Sequence, residues 1–161
     1  MVDRLIDILG REAALFESFL QLLERQQRAL VDNDAEELGR ITELQREKLS
    51  ESTLLHRERE SVIGAIKENN AIEGDLTVSR LVEIVDKSQA EVLTRLRDAI
   101  LNVNERILNT RNQNAMLLNK SREYINRMMK MLSAVGDPTP EYTAGGAERN
   151  SGRNVAVDWR V

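Results

Sequence analysis

The sequence predicts an all-α protein: an antiparallel helical hairpin plus one long helix, forming an elongated three-to-four-helix, coiled-coil-like bundle with a flexible C-terminal tail. Three observations carry this. Apolar residues recur at three- and four-residue steps through most of the chain. Both prolines, Pro138 and Pro140, fall late, so none interrupts a helix before position 138. Aromatics make up only 3% of the chain and charged residues 31%, a balance that suits slender helices with Leu, Ile, Val and Ala cores.

The elements follow in order. Leu5, Leu9, Phe16, Phe19, Leu23 and Leu30 form one stripe, widened by Ile8, Leu20 and Leu22, and predict an amphipathic helix over about 2–31. Asp32-Asn33-Asp34 ends it, because Asn and Asp offer the backbone alternative hydrogen bonds. Asp34 followed by Glu37 resembles a capping box, with Asp in place of Ser or Thr. A second helix runs over about 35–68 on Leu38, Ile41, Leu44, Leu49, Leu55, Val62 and Ile66. Asn69 to Asp75 reads as a loop from its Asn, Gly and Asp content. Thr77 then caps a short apolar helix, and around Asp86-Lys87-Ser88 the pattern can break or continue.

From about 88 the stripe is long: Val92, Leu96, Ile100, Val103, Ile107, Asn114, Leu118, Tyr124 or Ile125, Met128, Leu132 and Val135. Its mean spacing is near the coiled-coil value of about 3.5. Gly136 stops it, and Pro138 and Pro140 keep it stopped. The expected organisation is a helical bundle over 1–136 and a tail over 137–161, the tail mobile by its Gly, Pro, Ser and Asn content.

Lengths add a geometric expectation. Two helices of ~30 residues span ~45 Å each, and a third of ~48 residues spans ~72 Å. If the third runs back beside the hairpin, it outruns it by roughly 25 Å and leaves near Leu118. Its far end holds Met128, Met129 and Met131, and Met116 lies just before the exit. Methionine is unbranched and polarizable, so it adapts to varied partners. Two readings stand side by side: a binding strip of Asn114, Leu117, Leu118, Ile125, Met128, Met131 and Leu132, or the same residues as bundle core or dimer seam. Asn114 falls on the apolar stripe, where Asn can also fix register.

Several function classes are excluded on composition. The net charge of −4 is mild and the charges are interspersed, so neither nucleic acid nor an anionic membrane finds a basic footprint. No apolar run approaches the ~18 residues of a span. The N-terminal MVDRLIDILGREAA is acidic where a signal peptide is basic. With no cysteine and one histidine, thiolate or clustered-histidine metal sites are excluded, and a cytoplasmic protein without cofactor is expected. No nucleophile elbow or phosphate loop is present, so no enzyme is expected. His56, in LLHRERE, raises histidine phosphotransfer as an alternative, but Glu58 and Glu60 would repel a phosphoryl group and Arg57, Glu58 and Arg59 stand where such domains usually have a Leu-Lys-Gly-like run.

The order of these features resembles the FlgN family of flagellar type III export chaperones. ALVDNDAEELGRITELQREKL (Ala29 to Leu49) looks like the family's acidic break followed by a Glu- and Leu-rich helix. Asn114-Ala115-Met116-Leu117-Leu118 is similar to its Asn before paired leucines, and Tyr142 with Gly145 and Gly146 to its tail tyrosine. The resemblance spans about 1–146 and leaves Trp159 outside. It implies a cytoplasmic chaperone, a monomer or weak dimer, that binds C-terminal helical segments of hook-associated junction proteins. It also implies that the chaperone prevents their premature assembly and delivers them to the export gate's cytoplasmic domain, with Tyr142 docking there. The competing expectation is a coiled-coil structural adaptor that self-associates through the long helix.

Overall fold

A computed structural model describes residues 1–136, and these form four helices: α1 (Val2–Asp32), α2 (Ala35–Asn69), α3 (Val78–Val82) and α4 (Lys87–Gly136). No strand occurs among the described residues. The expectations placed on 137–161, including Tyr142, Gly145, Gly146 and Trp159, lie outside them. The chain divides into two compact units, 1–124 and the part from Ile125 onward.

The sequence punctuation acts as the local chemistry requires. Asn33 takes the left-handed conformation (φ 54°), which Asn tolerates better than most residues, and the Asp34 N–H donates to the Ala29 carbonyl at 2.9 Å. Asp34 then accepts from the Glu37 N–H at 2.9 Å and so caps α2. The expected box forms only by half, because the Glu37 carboxylate turns to the Arg25 and Arg40 guanidiniums instead. Thr77 accepts from the Arg80 N–H at 3.2 Å to start α3. Asp86 accepts from the Gln89 N–H at 2.9 Å, so the pattern breaks there and α3 is separate from α4.

In the first unit α1 and α2 are antiparallel. Arg4 and Arg11 both reach Glu58, Glu12 meets Arg59, and Arg25 meets Glu37, so the partner number falls as the α1 number rises. α4 runs parallel to α1: Gln89 pairs with Asp3, Arg106 with Glu17 and Gln113 with Gln27. One apolar cluster gathers all four helices, with Leu5, Ile8 and Leu9 from α1, Val62 and Ile66 from α2, Leu81 from α3 and Leu93 from α4. A second, made of Leu22, Ala29 and Ile41 with Leu38 against it, closes the turn end of the hairpin. Between them the buried Glu12 carboxylate is held by Arg59 at 2.9 Å, so a charge inside the α1–α2 seam has its counter-ion.

Two consequences are measurable. The Arg25 guanidinium, hydrogen-bonded to Glu37 and assisted by Arg40, holds the Glu37 carboxyl below its ordinary value of 4.5. A depressed carboxyl stabilises the fold above its unfolded-state pKa, and this contribution is lost as the pH falls through the folded-state value. Arg25→Gln should therefore make stability less dependent on pH below about 4.5, as read by urea midpoints across that window. Ala71, just past α2, sits at φ 49°, a conformation that disfavours a Cβ. Ala71→Gly should raise stability by about 0.5–1 kcal/mol, and a lowered melting temperature would contradict the strain.

Candidate functional site

Burial along α4 changes with position. Leu93 and Val103 are buried, Leu96, Ile100 and Ile107 half-buried, and Asn114 is the last buried side chain. Leu117 and Ser121 are half-buried, and every residue from Arg122 to Ala134 is exposed. The apolar stripe does not stop with the burial. Leu118, Ile125, Met128 and Leu132 continue it at helical spacing, flanked by Tyr124, Met129 and Met131. Leu118, Ile125, Met128, Met131 and Leu132 are between 45% and 67% exposed. A run of large apolar side chains left in water on one helix marks a surface that gains by being covered.

The residues expected to form the binding strip thus fall in three environments. Asn114 is 2% exposed, and its Nδ2 donates to the Leu23 carbonyl at 2.9 Å and to Gln26 Oε1 at 3.0 Å. Its Oδ1 is buried with no hydrogen-bond partner. In this arrangement its amide is spent on α1. Leu117 is half-buried beside Gln27, Arg28, Val31 and Asp32 at the end of α1. Leu118 is exposed in the first unit, and Ile125, Met128, Met131 and Leu132 are exposed in the second.

The remaining candidate chemistry is sparse. His56 is exposed on α2, and its Nδ1 lies 3.0 Å from Arg59 Nη2. No group of three or more His, Asp or Glu side chains among the described residues is placed to hold a metal ion. No helix among them is long and apolar enough to cross a membrane.

Sequence reasoning missed the Glu12–Arg59 pair, although position 12 lies on the apolar stripe between Leu9 and Phe16, where a carboxylate needs a partner. It also missed that Asn114 would find its partners on α1, since periodicity places a residue on a face without naming what lies opposite.

These features define a protein whose described residues form helices and the turns between them, with an exposed apolar surface on α4. The family model for FlgN protein matches residues 1–150, and the chain belongs to that family, whose members are flagellar export chaperones and not enzymes. No curated protein and no solved structure gives a significant match.

The Asn114 geometry predicts two opposite effects. Asn114→Leu removes a buried amide oxygen that has no partner and should leave the melting temperature unchanged or raised. Asn114→Asp puts a carboxylate in the same seam and should lower it at neutral pH. Thermal unfolding of both variants checks the pair.

Proposed function

We propose that this protein is a cytoplasmic chaperone for hook-associated junction proteins of the flagellum. It binds their C-terminal helical segments, prevents premature assembly and delivers them to the cytoplasmic domain of the export gate. The observation that carries the reading is the exposed apolar run on α4, Ile125, Met128, Met131 and Leu132, with Leu118 before it. Laying the apolar face of an amphipathic client helix against such a strip removes both surfaces from water. The methionines lend the strip tolerance, so that related clients with different side chains fit one surface.

Leu117 contributes from the edge of the bundle. Asn114 takes part from within it, fixing where the strip begins by holding α4 against Leu23 and Gln26. Tyr142, in the segment after α4, is the residue proposed to dock at the export gate, which leaves the helices to the client. The chaperone acts as a monomer or weak dimer, and needs no cofactor because its work is covering a surface.

Calorimetric titration of the full chain with peptides of the C-terminal helical segments of hook-associated proteins tests this. Tight 1:1 binding is expected, weakened by at least about tenfold in Ile125→Glu combined with Met128→Glu, and unaffected by Tyr142→Ala. Absence of binding in a sample that forms a stable dimer through α4 would instead favour the self-associating adaptor.

A further inference from the structure

Within the first unit, α3 occupies a definite row. Its Leu81 joins Leu5 and Leu9 of α1 in one cluster with Ile63 of α2 packed against it, Arg59 and Glu60 line a gap beside it, and Arg97 of α4 reaches its Ser79 at 3.4 Å. This is the place a fourth helix takes in a bundle, over α1 and between α2 and α4. α3 is only five residues long, so it fills one end of the row.

The row itself continues. On α1, Phe16 lies eleven residues beyond Leu5 and seven beyond Leu9, on the same face. On α2, Ser52 lies seven residues before Arg59 and eleven before Ile63, again on the same face. There the floor is open. Leu15, Phe16 and Phe19 of α1, Lys48, Leu49 and Ser52 of α2, and Asn104 and Ile107 of α4 line a notch of about 160 Å³. Both phenylalanines of the chain are in it. Its rim carries Leu49, and Leu101 and Leu108 lie on the α4 flank that Arg97 uses to meet α3, four and eleven residues further on. All three leucines are 50–61% exposed.

We propose that this open stretch seats a second amphipathic helical turn of the exported client, in line with α3 and with one large apolar side chain in the notch. This rests on the chaperone reading above and adds a contact to it. Continuity decides the occupant: the surface extends an intramolecular helix seat, so what fits it is a helix presenting the face that α3 presents, Val78, Leu81 and Val82. α3 is seated at its own end of the row: Thr77 caps its start, Arg80 donates to the Glu73 carbonyl, and Asp86 caps α4 four residues after its end. The size fits as well, since an apolar cavity of about 150 Å³ accommodates a benzene ring. The notch is thus a client contact that belongs to the first unit alone.

The test uses the full chain and the same client peptides. Ser52→Trp fills the notch from its rim, and Leu49→Arg with Leu108→Arg places charge at the rim using exposed positions, so that a folded variant is available if the first misfolds. Circular dichroism and melting temperature confirm the fold. The expected result is affinity lowered about tenfold or more with 1:1 stoichiometry kept, as for loss of one buried apolar anchor. Unchanged affinity in a folded notch variant, alongside lost binding in the α4 strip variant, overturns the seat and leaves the chaperone reading standing. No binding by the unaltered chain overturns both. A dimer of the unaltered chain that Ser52→Trp converts to monomer assigns the notch to a second copy and also overturns the proposal.

Discussion

The apolar face of α1 is the surface on which the first unit is built. α2 packs on it antiparallel, α4 packs on it parallel, and α3 reaches it at Leu5 and Leu9. A stripe that serves three neighbours must be wide, and α1 supplies that width through Ile8, Leu15, Leu20, Leu22 and Leu23 in addition to the residues of a simple two-helix seam. α2 buries only Ile41, Leu55, Val62 and Ile66, and Leu44, Leu49 and Leu54 remain in water on it.

Polar pairs fix how these helices sit relative to α1. The α1–α4 pairs keep to a limited range of separations in sequence, from 82 between Glu24 and Arg106 to 91 between Leu23 and Asn114. A regular apolar stripe alone permits a slip of seven residues with little change in pattern. The amide of Asn114 does not, because it must meet the Leu23 carbonyl and Gln26 or lie buried with nothing. The same logic applies to Glu12 and Arg59 across the other seam.

Much of this was legible in the sequence. The helices over 2–31 and 35–68 needed only period and punctuation, and the observed ends differ by one residue. α4 is described as far as Gly136, and its expected stop there lies at the edge of the described residues. Asp86 was harder, since an acidic residue in a helical pattern serves equally as a solvated side chain or as a cap, and only its bond to the Gln89 N–H decides. The strip was legible as apolar residues at helical spacing, but exposure depends on what lies opposite. Asn114 shows the difference: the same periodic position could be turned to a partner or to α1, and the structure turns its amide to α1. The notch at Phe16 and Phe19 had no sequence signal, because it is an absence of packing between residues far apart in the chain.

The parallel pairing of α1 with α4 has a consequence for the order of assembly. α1 and α2 are joined by a two-residue turn and can zip together as soon as both exist. α4 must instead close a loop through all of α2 and α3 before its first contact with α1. On the ribosome the hairpin can be complete while α4 is still being made, so its pre-formed α1 face acts as a template on which α4 is laid down. The helix that carries the exposed strip is then the last to be seated.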